Sequence, residues 1–69
     1  MKNIKVGYIV KNNIFEDGIE LSVELPMSEQ NVNFLLNRNS VVKQTLANTI
    51  VSIARLQGYQ YADVKSISY

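Results

Sequence analysis

The chain has 69 residues, with seven Lys or Arg, six Asp or Glu, and neither cysteine nor histidine. It therefore has no disulfide, no thiolate or imidazole ligand for a metal, and no Cys or His to act as nucleophile or base. The net charge of +1 provides no broad attraction to nucleic acid or to an anionic membrane. No apolar stretch is as long as a membrane span, so we expect one cytoplasmic domain over residues 1–69.

Two segments in the first part of the chain alternate apolar and polar residues, a pattern typical of half-buried strands. They are Ile4–Val10 and Ile19–Leu25. Because side chains alternate between faces, one antiparallel register keeps both apolar sets on the same face. The pairs on that face are Ile4–Leu25, Val6–Val23, Tyr8–Leu21 and Val10–Ile19, and those on the other are Lys5–Glu24, Gly7–Ser22 and Ile9–Glu20.

A weak helix signal over residues 28–37 follows Pro26, which ends the second strand. Ser28 is in position to cap this helix, and Met27 is in position to pack on Val32. Several asparagines lower the helix propensity of the segment. It is therefore predicted to be either a turn of helix or an ordered loop.

The strongest periodicity in the chain predicts a long helix over Ser40–Gln57. Ser40 is expected to be its N-cap, and Gly58 is expected to end it in a left-handed conformation. The apolar side chains extend from Leu56 round to Val51, about half of the circumference and more than one sheet face covers. A second surface against the helix is therefore expected, either from elsewhere in the chain or from another subunit. The residues of the periodic pattern are Val42, Leu46, Ile50, Ile53 and Ala54.

The pattern of residues from Tyr61 to Tyr69 predicts a last strand, in which the alternation of apolar and polar residues is interrupted. Val64 and Ile67 have opposite parity, and a bulge near Lys65 would put both on the same face. A right-handed crossover places this strand beside the first and antiparallel to it. The sequence therefore predicts a two-layer α+β fold. Its three-stranded antiparallel sheet has the order 2-1-3, with one long helix on one face and the element order β-β-(short α)-α-β.

The chain offers little for catalysis. Glu20 and Glu24 share a strand face, but Lys5 lies on that face too, so cross-strand charge pairing explains them. The three isolated glycines match neither a nucleotide-binding nor a calcium-binding loop. We therefore expect a protein that is not an enzyme and has no catalytic residue, metal site or cofactor.

Aromatic and basic residues on the last strand suggest single-stranded nucleic-acid binding as a second hypothesis. With regular alternation, Tyr61, Lys65 and Tyr69 lie on the sheet face away from the helix, near Lys5. Stacked aromatic rings and interleaved lysines are how open sheets hold single-stranded bases and phosphates. Acidic residues on the same face and the low net charge oppose this hypothesis.

Protein association has the most support from the sequence. Apolar side chains without an evident partner are expected at Ile14 and Phe15, between two turn signals, and at Phe34 and Val51. Together with the wide apolar face of the helix, they predict a homodimer or higher oligomer and a second protein as partner. Compact chains of this size without catalytic residues are typical of small inhibitors and regulators, including those carried by phages and mobile elements. An oligomer that sequesters a small molecule is a third hypothesis.

Overall fold

The computed structural model describes all 69 residues, and they form one antiparallel sheet covered on one face by two helices. The order of the strands in the sheet, with the first strand of the chain between the second and the third, and the α+β class are as predicted. The segment over residues 28–37, predicted to be either a turn of helix or an ordered loop, contains the short helix of the predicted element order. The elements are β1 (Lys2–Lys11), β2 (Ile19–Met27), α1 (Glu29–Leu36), α2 (Ser40–Leu56) and β3 (Tyr61–Ser68).

The pairing of β1 with β2 has the predicted register, with Val6 opposite Val23 and Tyr8 opposite Leu21. β1 is the central strand, and its inward side chains form the most buried layer of the core. Each of them has at most 1% of its surface exposed because neighbouring strands flank it and the helices cover it. These side chains are Ile4, Val6, Tyr8 and Val10.

β3 contains the predicted bulge. Gly7 pairs with Ser66 and Tyr8 pairs with Val64, so Lys65 is the extra residue on the bulged strand. The bulge changes the parity of the strand, and both Val64 and Ile67 pack against the core. It also brings Ser66 close to the central strand, where a Cβ atom on Gly7 would lie 2.6 Å from the Ser66 Oγ atom.

The start of α2 is capped by a different residue from the one predicted. At the start the prediction of Ser40 is wrong by one position, because Asn39 Oδ1 accepts hydrogen bonds from the N–H groups of Val41 and Val42 at 3.0 and 3.1 Å. Arg38 has a positive φ of 60°, which turns the chain, and Asn39 then takes the extended conformation of an N-cap.

The end of α2 is as predicted. Gly58 has a φ of +95°, and its N–H donates to the Arg55 carbonyl at 3.0 Å. The N–H of Tyr59 donates to the Ala54 carbonyl, also at 3.0 Å. These two hydrogen bonds form a Schellman motif, which satisfies carbonyl groups left without partners in the last turn.

α1 provides the second surface that the wide apolar face of α2 requires. Ser28 caps α1 by accepting a hydrogen bond from the N–H of Asn31 at 3.2 Å. Val32 and Leu35 are buried in the common core, and α1 contacts α2 directly. Because this surface comes from the same chain, the width of the apolar face no longer indicates a second subunit. Leu56, at the edge of that face, remains 90% exposed.

Candidate protein-interaction surface

The loop between β1 and β2 holds two apolar side chains at the centre of an ordered turn. The N–H of Glu16 donates to the Asn13 carbonyl at 3.1 Å, and the N–H of Phe15 donates to Asn13 Oδ1 at 2.9 Å. Asparagine side chains commonly stabilise turns in this way. Ile14 and Phe15 therefore occupy the two central turn positions, and Phe15 is 87% exposed.

This turn is also attached to the structure around it. The N–H of Asn12 donates to Glu16 Oε2 at 3.3 Å, and Asn12 Oδ1 accepts from the N–H of Gln60 at 3.2 Å. The second bond links the turn to the segment just before β3. The backbone of the turn is thus held in place by hydrogen bonds, while the side chain of Phe15 stays almost fully exposed and outside the core.

An open groove lies beside the turn, with a volume of about 440 Å³. Its apolar lining includes Ile14 from the turn, Val51 from α2 and Tyr61 from the start of β3. Lys11, Arg55 and Asp63 add charge to its walls, and Gln60 and Ala62 complete it. We call this groove together with Phe15 the hairpin-end surface. It brings together Ile14, Phe15 and Val51 from the predicted interface residues.

Phe34, the fourth predicted interface residue, lies elsewhere. α1 begins next to Met27, which pairs with Lys2 at the end of the sheet opposite the turn. Phe34 is 37% exposed on this helix and does not line the groove that contains Val51. The contact surface expected from Phe34 together with Val51 is therefore not formed within one molecule.

The residues predicted for nucleic-acid binding do not form a single array. The bulge breaks the regular alternation on which that array depends, and Tyr69 follows the last residue of β3 with the parity of Ile67. Tyr61 lines the hairpin-end groove, whereas Lys5 borders a polar hollow around Gly7.

The single ion pair of the structure joins Lys65 Nζ to Glu20 Oε2 at 3.0 Å. Because Glu20 is on β2 and Lys65 is on β3, the pair crosses the outer face above the central strand. The sequence predicted charge pairing of Lys5 with the glutamates instead. Lys5 does lie opposite Glu24 in the register, but their side chains form no ion pair.

Sequence reasoning missed Arg55 and Tyr61 as neighbours of the turn. The groove is assembled from a loop, a helix and a strand, and no local pattern encodes the distances between such segments. The one available signal was the position of Arg55 four residues after Val51, which places both on one side of α2.

The structure contains no cluster of three or more Asp or Glu residues able to hold a metal ion. Neither helix is long and apolar enough to cross a membrane. Comparisons with protein-family models, curated proteins and solved structures found no match.

Proposed function

We propose that this chain is a non-enzymatic, cytoplasmic module that acts by binding another protein through the hairpin-end surface. The observation that carries the proposal is the hydrogen-bonded turn that holds Phe15 87% exposed. Single exposed hydrophobic residues are common on protein surfaces. Here the backbone that carries the exposed ring is held by hydrogen bonds, and its neighbour Ile14 lines an apolar groove, so Phe15 is suited to be an anchor residue that fills a pocket of a partner.

Preorganisation of the turn favours binding. A mobile side chain loses conformational freedom when it binds, and that loss offsets part of the gain from burial. The N–H groups of Phe15 and of Glu16 are already bound by Asn13. Burying a phenylalanine side chain contributes about 1.5–3 kcal/mol. Phe15 is therefore the residue of this surface from which we expect the largest contribution to affinity.

The charges of the hairpin-end surface indicate which groups a complementary partner presents. Glu16 and Asp17 follow Phe15 in the loop, while Lys11 and Arg55 line the groove. A complementary partner presents an apolar pocket for Phe15 with basic groups beside it. It also presents an apolar side chain with an acidic neighbour to enter the groove. Mixed charges of this kind align the partners and exclude mismatched ones. We expect such a module to act as a small inhibitor or regulator of its partner, of the kind that phages and mobile elements encode.

The experiment compares affinity capture by three forms of the protein: wild type, Phe15→Ser and Val41→Ser. Val41 provides the matched control because it is an exposed hydrophobic residue at the start of α2, away from the turn. A specific partner is retained by wild type and by Val41→Ser but lost with Phe15→Ser. With the purified partner, we expect Phe15→Ser to weaken binding roughly ten- to hundredfold.

Retention of the same partner by Phe15→Ser at unchanged affinity would overturn the proposal. The melting temperatures of the three forms are measured in parallel, since a loss of binding is informative only if the variant folds. We expect Phe15→Ser to melt close to wild type because its side chain makes no core contact.

The other two hypotheses from the sequence have no observation in their favour. Tyr61 and Tyr69 do not share a regular strand face, and Lys65 is engaged by Glu20. The hollows at the surface are open grooves, the largest of about 530 Å³ beside Tyr59 and Tyr61, rather than enclosed cavities for a small molecule.

A further inference from the structure

The two edges of the sheet differ in their readiness to pair with another strand. The unpaired backbone groups of an edge strand are a template for a further strand unless a bulge or a charged residue interrupts them. β3 has such a protection, since the bulge at Lys65 interrupts the regular backbone in the middle of the strand. β2 extends for nine residues and pairs with β1 without a register shift. β2 does carry Glu20 and Glu24, but their side chains lie on the outer face, and Pro26 is next to the end of the strand. The edge of β2 is therefore the one with the longer regular run of backbone.

The inner face of β2 is also incompletely covered. α2 packs towards β3, and the inward side chains of β2 are only half-buried, with Ile19 53% exposed. Thr49 of α2 lines a groove with Leu25 and Met27, so this side of the helix faces β2. Leu56 follows Thr49 by two turns and lies on the same side. An apolar strip thus runs along β2 towards the exposed side chains of Ile19 and Leu56.

We propose that β2 pairs antiparallel with β2 of a second copy, about a two-fold axis at Val23, so that the two sheets become continuous. In this register all nine residues of β2 lie opposite a residue of the second copy, and only Pro26, which has no N–H, cannot donate to its partner. The apolar side chains meet apolar side chains on the inner face, and no two glutamates lie directly opposite each other. The pairs are Val23 with Val23, Leu21 with Leu25, Ile19 with Met27, Ser22 with Glu24 and Glu20 with Pro26.

Neighbouring registers are less favourable. An axis at Ser22 places Glu20 opposite Glu24 twice, and like charges directly opposite are destabilising. An axis at Leu21 leaves Leu25 and Met27 beyond the paired region. Within each copy, Glu20 is also paired with Lys65, which reduces the repulsion between the two edges.

The long side of the molecule has nearly the area that a dimer interface requires. A stable interface buries about 800 Å² per partner. The molecule measures 36 × 20 × 17 Å, and the ten residues of β1 span about 33 Å, so the long axis follows the strands. A side of 36 × 17 Å encloses 612 Å², which approaches the area required.

Single cysteines test the pairing, because the chain has no cysteine of its own. Directly opposite residues of antiparallel strands have Cα atoms about 4.5–5.5 Å apart, within the range of a disulfide. Val23→Cys should therefore form a covalent dimer under mild oxidation. The matched control is Val64→Cys, which changes a half-buried valine on the other edge strand and should form no covalent dimer.

Two further measurements keep the test decisive if Val23→Cys folds poorly. An equimolar mixture of Ser22→Cys and Glu24→Cys, both at exposed positions, should cross-link more than either variant alone. Sedimentation equilibrium of wild type should show a mass above 7.8 kDa that rises with concentration. Phe15→Ser should dimerise as wild type does, which separates this proposal from binding at the hairpin-end surface. A constant monomer mass up to millimolar concentration, or equal cross-linking of Val64→Cys, would overturn the proposal.

Discussion

The hydroxyl of Tyr8 donates a hydrogen bond to Oε1 of Gln57 at 3.0 Å, which joins the central strand to the C-terminal cap of α2. Tyr8 is 1% exposed, so its ring lies within the core and its polar end reaches the edge of the core. A buried hydroxyl that cannot reach water needs a partner in the protein. This bond therefore helps to determine where α2 ends relative to the sheet.

We predict that Tyr8→Phe lowers the free energy of unfolding by about 0.5–1.5 kcal/mol, the usual net contribution of one hydrogen bond. Gln57→Ala should cost more, about 1–3 kcal/mol, because it leaves the hydroxyl of Tyr8 without its partner. The double variant should cost less than the sum of the two, and urea unfolding of all four forms measures this coupling. Fully additive effects would show that the bond does not contribute in solution.

A second prediction concerns the centre of α2. Ile50 is completely buried, and Ile50→Ala should lower the free energy of unfolding by about 2–5 kcal/mol. Val41→Ala removes an exposed side chain from the same helix and should have an effect within about 0.5 kcal/mol. Thermal and urea melts compare the two variants. Equal melts for Ile50→Ala and wild type would mean that the buried face of α2 is misplaced.

The N-cap of α2 provides a third prediction. Asn39→Ala should cost about 0.5–2 kcal/mol, because it leaves the N–H groups of Val41 and Val42 without their acceptor. Ser40→Ala should have little effect, since Ser40 is already within the helix. Denaturant unfolding distinguishes the residues. A larger loss from Ser40→Ala would restore the cap expected from the sequence.

Gly58 provides a fourth prediction. A Cβ atom added at this position meets no heavy atom within 4 Å, so the cost of Gly58→Ala arises only from the positive φ of the backbone. We expect a loss of about 1–2 kcal/mol. Gly58→Asn should cost less, because asparagine tolerates the left-handed conformation better than alanine. If both variants melt like wild type, the Schellman motif is not needed to end α2.

Some features of this protein follow from the sequence alone. The pairing of β1 with β2 is one, because side chains alternate with a period of two and a shift by one residue would expose a whole apolar row. The change of parity between Val64 and Ile67 predicts the bulge at Lys65 for the same reason. α2 is determined by its periodicity, and the end of the helix is determined by Gly58, since few other residues adopt a positive φ at low cost.

Other features depend on contacts between segments that are distant in the chain. The asparagines of α1 give it low helix propensity, and burial of Val32 and Leu35 against the core stabilises the helix nonetheless. Arg38 adopts a positive φ, and the N-cap of α2 is Asn39 rather than the predicted Ser40. The hairpin-end surface and the crossing ion pair of Lys65 with Glu20 each join separate elements. Periodicity specifies which face of an element is buried, but only packing of the elements decides which side chains meet across them.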